Sequence, residues 1–138
     1  MILDTNVISE AAKLQMDVRV REWFISQAAG SLYTTAVNLA EVSYGIEKMP
    51  DGRRKTEVRE DMETFFKRHF QNRILPFDEQ VARTYGRILA DARARGRSIL
   101  IADGQIAAIA QSRGLTVATR DTGPFEAAGV PVVNPWML

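Results

Sequence analysis

The fold is decided by Met1-Ile2-Leu3-Asp4-Thr5-Asn6, an apolar run that ends at a carboxylate. The same pattern returns late in the chain, where Leu115-Thr116-Val117-Ala118-Thr119-Arg120 leads to Asp121. Each apolar run predicts a short strand, and each aspartate precedes a stretch with helical character. In open parallel α/β sheets, ligands bind beyond the carboxyl ends of the strands. The pattern therefore places both aspartates at the functional edge of a parallel sheet.

Outward from these two runs, short apolar segments alternate with longer segments of helical periodicity. The predicted strands are Met1–Leu3, Leu32–Thr35, Arg73–Phe77, Leu115–Thr119 and Pro131–Val133. Helices are predicted over residues 18–29, 56–70 and 99–113, with a further one that Asp78 caps and Gly96 ends. The Met49–Gly52 turn and the basic residues 53–55 are expected to form a loop between two helices. Alternation of this kind indicates one α/β domain, residues 1–138, with a parallel sheet covered on both faces.

Composition excludes several classes of protein. The chain has no cysteine, which rules out a disulfide framework, a zinc ribbon and a thiol nucleophile and is compatible with a reducing cytoplasm. Its apolar start is too short for a signal peptide, and no window reaches the roughly 18 apolar residues of a membrane span. The single histidine, His69, excludes a histidine metal cluster and a Ser-His-Asp triad. We therefore expect a cytoplasmic protein without a membrane partner, in which His69 is structural.

Two further carboxylates interrupt apolar segments. Glu41 lies within Ala36–Val42, and Asp103 lies between the apolar runs 99–102 and 106–110. On the predicted helix Asp103 falls inside the apolar stripe, and Glu41 shares a predicted inward face with Val37, Ala40, Tyr44 and Gly45. A carboxylate in apolar surroundings must be neutralised, hydrogen-bonded or bound to a cation. Both residues are thus candidates for a site.

Together Asp4, Glu41, Asp103 and Asp121 predict an acidic pocket for a hard divalent cation. Mg²⁺ and Mn²⁺ prefer oxygen ligands. Such an ion lowers the pKa of bound water and neutralises charge that develops on a phosphate oxygen, which indicates a phosphate-ester or phosphodiester substrate. A structural interpretation stays open for the aspartates, since Asp4 and Asp121 can be helix N-caps, with Thr5 and Thr122 sharing the capping. Asp103 in an early helical turn also gains from the helix dipole.

The motifs that carry these residues form an ordered set along the whole chain. They are Leu3–Glu10, Ala40-Glu41, Arg73–Asp78, Ile101–Ala108, Val117–Gly123 and Asn134–Trp136. At these separations the sequence resembles the PIN-domain ribonucleases, specifically the VapC-type toxins of type II toxin–antitoxin systems and their FitB-like branch. The resemblance implies a PIN-like three-layer α/β/α sandwich with a five-stranded parallel sheet.

The resemblance also implies a function and a set of partners. It implies Mg²⁺- or Mn²⁺-dependent endoribonuclease activity at Asp4, Glu41, Asp103 and Asp121, with tRNA among the candidate targets. Thr5, Asn6 and Thr119 would orient ligands or water by hydrogen bonds, with capping and turn formation as the alternative role. A VapB-type antitoxin would block the site and repress a shared operon, so that DNA is contacted only through the antitoxin. A homodimer would bring two acidic sites to one groove.

Particular residues also match features of other protein classes. Asp121-Thr122-Gly123 matches an aspartic-protease tripeptide, but that chemistry belongs to all-β folds. A receiver-type signalling domain needs a lysine late in the chain, and none follows Lys67. The remaining alternative is a catalytically silent PIN-fold module that binds RNA or a partner, and a metal-dependent cleavage assay separates it from a nuclease.

The sequence allows two interpretations for several basic and aromatic side chains. Two basic groups either hold RNA phosphates or form a solvated face with ion pairs such as Asp91 with Arg95. They are Arg83, Arg87, Arg93, Arg95 and Arg97 on and after the helix that Asp78 caps, and residues 53–55 in the predicted loop. Trp23 and Trp136 are expected in the core or in a dimer interface. The faces around Trp23 and Phe65-Phe66 are expected in the core, with a groove for a partner helix as the alternative.

Overall fold

Five short strands alternate with seven α-helices, as the hydrophobic pattern predicts. The computed structural model describes all residues from Met1 to Leu138. In chain order the elements are β1 (Ile2–Leu3), α1 (Thr5–Ala11), α2 (Val18–Ser26), β2 (Thr34–Thr35), α3 (Ala36–Glu47), α4 (Arg53–Phe70), β3 (Ile74–Leu75), α5 (Glu79–Ala94), α6 (Ile101–Arg113), β4 (Val117–Ala118), α7 (Gly123–Ala127), β5 (Val132–Val133) and a 3₁₀ helix (Pro135–Met137).

All strand pairings are parallel. Three strands pair in the order β1-β4-β5, and β2 pairs with β3. A single parallel bridge between Ile2 and Tyr33 joins the two groups, with the Leu3 amide donating to the Tyr33 carbonyl at 2.8 Å. The five strands therefore follow the order β3-β2-β1-β4-β5 and have their carboxyl ends at one edge. The strands are two residues long rather than three to five, because regular pairing stops where the chain turns into the following helix.

Helices cover both faces of this sheet, which confirms the predicted α/β/α layers. Alternation along the strands divides their side chains between two cores. Leu3 and Ala118 enter a core with helices α1 to α4, where Val7, Val20 and Phe70 are fully buried. On the other face, Ile2 and Val117 enter a core with α5, α6 and α7.

The start of α4 differs from the sequence prediction. Residues 53–55 were expected in a loop, but they form the first turn of α4, directly after Gly52 with its φ of 147°. Lys55 is buried there, and its Nζ donates to the Glu47 carbonyl at 3.0 Å and to Asp51 Oδ1 at 3.2 Å. Lys55 thus ties the end of α3 to the start of α4, which the basic triplet alone does not reveal.

The other helix boundaries are closer to prediction. Asp78 caps α5 by accepting from the Val81 amide at 2.9 Å, and Gly96 follows the helix with a φ of 75°. Helix α2 ends at Ser26 rather than at residue 29, and α6 begins at Ile101 rather than at residue 99. No helix is both long enough and apolar enough to cross a membrane.

Candidate active site

Asp4 is the most strongly held carboxylate at the sheet edge. It follows β1, is buried, and is the N-cap of α1, as one of its two sequence interpretations predicted. Its Oδ1 accepts from the Thr5 amide and from Asn38 Nδ2, both at 2.9 Å. Its Oδ2 accepts from Thr119 Oγ1 at 2.8 Å. Capping and a role in the site are therefore combined in one side chain with a fixed orientation.

Asn38 is part of this arrangement, and the sequence interpretation missed it. The side chain is fully buried on α3, where its Oδ1 accepts from Thr35 Oγ1 at 2.6 Å. Its Nδ2 donates to Asp4 and also to Thr5 Oγ1, at 3.1 Å. The available signal was a lone amide inside the apolar run 36–42, three residues before Glu41 and so on the same helical face.

Glu41 lies at the rim of the site rather than beneath it. Its Oε1 accepts from Thr5 Oγ1 at 3.0 Å. Partial burial raises the pKa of Glu41, the hydrogen bond from Thr5 opposes that rise, and the charge of Asp4 adds to it. Glu41 is thereby linked to Asp4 both through Thr5 and through the electrostatic field.

The face of α3 assigned from sequence was wrong. The buried residues of the helix are Asn38, Val42 and Ile46, whereas Ala40, Glu41 and Tyr44 are exposed. The helix is rotated because the Thr35–Asn38 pair must face the sheet edge, where Asp4 and Thr5 complete its hydrogen bonds. Glu41 reaches the site from one flank of that face.

Asp103 shows that the four carboxylates share one environment. It is half-buried in the first turn of α6. Burial, followed by the charges of Asp4, Asp121 and Glu41 in that order of size, raises the pKa of Asp103 to about 6. A carboxylate whose pKa is raised by three others is close enough to each to feel its charge. The structure thus brings together all four residues that the sequence singled out.

Asp121 is the most open member of the set. It is exposed, two residues beyond Thr119 at the end of β4, and its amide donates to Thr119 Oγ1 at 3.1 Å. The N-cap of α7 is Thr122, which makes no side-chain capping bond. Thr122 thus occupies the N-cap position without capping through its side chain, whereas the capping interpretation of Asp121 is wrong, because its carboxylate is not used by the helix.

Thr119 and Asn6 connect the two aspartates at the sheet edge. Thr119 is fully buried, and its Oγ1 accepts from Asn6 Nδ2 at 3.3 Å while donating to Asp4. Asn6 Oδ1 accepts from the amide of Arg120 at 3.1 Å. Together with Thr5, these polar side chains hold carboxylates and the β4–α7 loop in place rather than capping helices.

The donor set suits a hard divalent cation. All candidate ligands are carboxylate oxygens, and Asp4 Oδ2 accepts only one hydrogen bond, so it keeps a free lone pair. The crowding of negative charge that raises the pKa of Asp103 is what a cation would relieve. No group of three carboxylates or histidines is arranged to hold a metal ion in this conformation, so the four carboxylates form an open acidic mouth and not a formed metal centre. Mg²⁺, which keeps several water ligands, fits such a mouth.

The α/β/α fold with acidic side chains at the carboxyl edge of its parallel sheet agrees with a match to one known family. The family model of the PIN domain matches residues 1–130, and the chain belongs to the PIN-domain family. Within that family, its similarity is to VapC-type toxins and the FitB-like branch, as the motifs indicated.

Three curated relatives match almost end to end. The plasmid stability protein StbB of Pseudomonas syringae pv. tomato is 46% identical, over 99% of this chain and 98% of the relative. The VapC ribonuclease Y4jK of Sinorhizobium fredii is 43% identical, with 99% and 97% covered. The toxin FitB of Neisseria gonorrhoeae is 45% identical, with 99% and 98% covered.

Solved structures agree on the fold. The crystal structure of FitAcB from Neisseria gonorrhoeae superposes with a TM-score of 0.93 at 45% identity and covers 99% of both chains. A structure of FitAB bound to an IR36 DNA fragment gives the same TM-score and identity, with 99% of this chain and 96% of the other covered. At this similarity the PIN-like arrangement of layers is that of the relatives.

Proposed function

We propose that this protein is an Mg²⁺- or Mn²⁺-dependent endoribonuclease and the toxin of a toxin–antitoxin pair. The observation that carries the nuclease proposal is the convergence of Asp4, Glu41, Asp103 and Asp121, expressed in the raised pKa of Asp103. Support for an RNA substrate and for the toxin role comes from relatives above 40% identity that are named a VapC ribonuclease and a toxin.

The reaction is hydrolysis of a phosphodiester bond. Water attacks phosphorus, the bond to the 3′-oxygen breaks, and the products carry a 5′-phosphate and a 3′-hydroxyl. A bound divalent ion would lower the pKa of water and neutralise the charge that develops on phosphate. Asp4 and Asp103 would hold that ion through carboxylate oxygens, and Asp4 is suited to this because three hydrogen bonds fix its orientation.

Glu41 and Asp121 would act on the substrate side of the site. Glu41 Oε1 is engaged by Thr5, whereas Oε2 has no protein partner and can accept a hydrogen bond from the attacking water. Asp121 is exposed and would complete the negative mouth or contribute to a second ion. Thr5, Asn6 and Thr119 would keep these carboxylates oriented, since each hydrogen-bonds to one of them or to the loop beside Asp121.

The proposed partner is a VapB-type antitoxin, which would close the site and mediate any contact with DNA in the cytoplasm. Its support is the likeness to FitB, whose structures are named FitAcB and FitAB bound to DNA. The chain also has an open apolar groove of about 450 Å³ between α3 and α4. Val42, Ile46, Met62 and Phe66 line it, so Phe66 serves both the core and a surface wide enough for a partner segment.

A homodimer is also proposed. Large apolar side chains are exposed beside the acidic mouth, with Tyr44 at 68%, Leu100 at 77% and Ile101 at 68% of full exposure. Helices α3 and α6, which carry or adjoin these residues, pack against each other, so the apolar positions lie on adjacent elements. Pairing of two copies through this surface would bury it and bring two acidic mouths close together. The mass of the purified protein in solution tests the dimer.

The nuclease proposal is tested by incubating the purified protein with total tRNA and other structured RNAs. Cleavage is expected with Mg²⁺ or Mn²⁺ and is expected to stop in excess EDTA. Asp103→Asn should abolish cleavage, and Asp91→Asn on the exposed face of α5 is the matched control that should cut normally. A folded wild-type protein that binds RNA but never cuts it would instead establish the silent binding module.

A further inference from the structure

Arg120 is an exposed cation directly beside the acidic mouth. It lies between Thr119, which holds Asp4, and Asp121, and it is exposed. Its backbone is fixed on both sides, because its amide donates to Asn6 Oδ1 at 3.1 Å and its carbonyl accepts from Asn134 Nδ2 at 3.5 Å. The backbone of Arg120 is thus held in place next to the carboxylates.

The guanidinium group is held as well. It lies over the ring of Trp136, 5.0 Å from the ring centroid. Trp136 is itself buried at 8% exposure and packs in the core beside α2, so the platform is rigid. Stacking on an aromatic face restricts the arginine side chain while leaving the edge of the guanidinium free to donate hydrogen bonds. Trp136 was expected in the core or in a dimer interface; it lies in the core and also forms this platform.

No carboxylate neutralises Arg120. The ion pairs of the protein are formed by Lys13, Arg53, Lys55, Arg59 and Arg83. Arg120 makes none, although Asp121 is its neighbour in sequence. A cation that is oriented by an aromatic ring and lacks a partner, beside four carboxylates, is available for an anion from outside.

A second arginine, Arg97, contacts the chain two residues after Asp121. Arg97, in the connection between α5 and α6, donates from Nη2 to the Gly123 carbonyl at 3.4 Å. It too forms no ion pair, and only part of its donor capacity is used. The expected pair between Asp91 and Arg95 is absent; Arg95 instead donates to the Asp91 and Ala127 carbonyls at 3.3 Å and 2.8 Å. Of the arginines at the end of α5, Arg97 is the one tied next to the site.

We propose that Arg120, stacked on Trp136, is a phosphate clamp that binds the RNA backbone beside the phosphate to be cleaved, with Arg97, held at Gly123, as a weaker second contact. The inference rests on RNA as the substrate of the proposed nuclease. Four carboxylates repel a polyanion, so the mouth needs fixed cations at its rim to hold the phosphates that flank the reacting one. Arginine presents parallel N–H groups that match two phosphate oxygens, which a lysine cannot do.

Binding is measured directly with a fluorescently labelled, single-stranded RNA and Asp103→Asn protein, which is not expected to cut it. Adding Arg120→Gln should weaken the affinity by roughly tenfold, the size expected for one charge-assisted contact. It should also reduce the slope of log affinity against log salt by about 0.7. Arg120→Lys should recover the salt slope and only part of the affinity, because the charge returns without the stacked, two-pronged geometry.

The matched control is Arg54→Gln, which removes the same charge from an exposed position. Arg54 lies beside the far end of α3, since its neighbour Lys55 contacts the Glu47 carbonyl. That end is roughly 14 Å along the helix from Asn38. Affinity and salt slope should stay at the level of the parent in this variant. Trp136→Phe keeps an aromatic residue in the core, but phenylalanine attracts a cation less strongly than tryptophan does. The RNA affinity of this variant should lie between that of the parent and that of Arg120→Gln.

Cleavage kinetics in an otherwise wild-type chain give a second readout. Because the clamp holds a flanking phosphate equally before and during reaction, Arg120→Gln should raise KM about tenfold and leave kcat within a factor of about two. The inference is overturned if affinity, salt slope and KM of Arg120→Gln match those of Arg54→Gln, or if the Asp103→Asn protein binds no RNA. Failure of the nuclease proposal looks different: RNA binding would still depend on Arg120, but no metal-dependent cleavage would occur.

Discussion

The shared environment of the four carboxylates makes an unusual prediction for Asp103. Removing its charge should stabilise the metal-free protein while abolishing cleavage. Burial and, after it, repulsion by the other three carboxylates raise the pKa of Asp103 from 3.8 to about 6 in the folded chain. The ionised form of Asp103 is therefore disfavoured by folding. Asp103→Asn keeps the shape of the side chain and removes this cost.

The size of the effect follows from the pKa. A full conversion of the change from 3.8 to about 6 corresponds to about 3 kcal/mol. Asp103 is only half-buried, so solvent screening reduces this to about 1.5 kcal/mol. The variant also loses the attraction of a first-turn carboxylate to the helix dipole, about 0.5 kcal/mol. The net gain is about 1 kcal/mol, which for a chain of 138 residues raises Tm by about 3–4 °C.

The stability of the wild-type protein should fall as pH rises, because Asp103 has a raised pKa in the folded state. Between pH 3.8 and about 6 the folded state binds more protons than the unfolded state, so the wild-type protein loses stability as pH rises through this range. Asp103→Asn has no such loss. Thermal unfolding in EDTA should show a gap of about 3–4 °C at pH 7.5 that closes near pH 4.

The control for this comparison is Asp91→Asn, an exposed aspartate on α5 away from the other carboxylates. It should shift Tm by less than about 1 °C at either pH. The reasoning is refuted if Asp103→Asn is no more stable than wild type at pH 7.5, or if Asp91→Asn gains as much.

Further predictions concern the supports of the site. Saturating Mg²⁺ should raise the Tm of the wild-type protein, because it binds only the folded state, and should leave Asp103→Asn nearly unchanged; equal shifts in both would place the ion elsewhere. A β-carbon on Gly104 would lie 2.7 Å from Leu89 Cδ1 and 3.0 Å from Tyr85 Cε2. A β-carbon on Gly86, which lies on the exposed face of α5, would meet no atom within 4 Å. Both contacts of Gly104 are the ends of half-buried side chains that can turn aside, so Gly104→Ala should be less stable in urea unfolding than Gly86→Ala by only about 1 kcal/mol, and equal midpoints would contradict this packing. Asn38→Ala should lose about 1–3 kcal/mol and most cleavage activity, because Thr35 and Asp4 lose buried partners; activity within twofold of wild type would remove Asn38 from the site.

The sequence was most informative where one residue both ends a strand and begins the site. Asp4 and Asp121 could be placed at the sheet edge because each follows a short apolar run, and local pattern determines that position. Asp103 could be placed because a charge inside an apolar helical stripe has few explanations. In all three cases the physical reason is local, so it is visible in a short window of sequence.

The parts that escaped prediction depend on contacts distant in sequence. The rotation of α3 is set by Asn38 reaching Asp4, which lies 34 residues away, and no periodicity within the helix encodes that contact. The basic residues 53–55 were placed in a loop because they follow the Met49–Gly52 turn signal, but Lys55 finds its partners on α3 and in the turn. The stacking of Arg120 on Trp136 likewise joins the end of β4 to the last helical turn.

The central claim is that four carboxylates form one metal-dependent site for cutting RNA. The most direct measurement is mapping of RNA 5′ ends after incubation with wild-type, Asp103→Asn and Asp91→Asn protein, each with Mg²⁺ and with EDTA. The account predicts new 5′-phosphate ends at defined positions for wild type and Asp91→Asn with Mg²⁺ only. Identical ends in EDTA, or from folded Asp103→Asn protein, would contradict it.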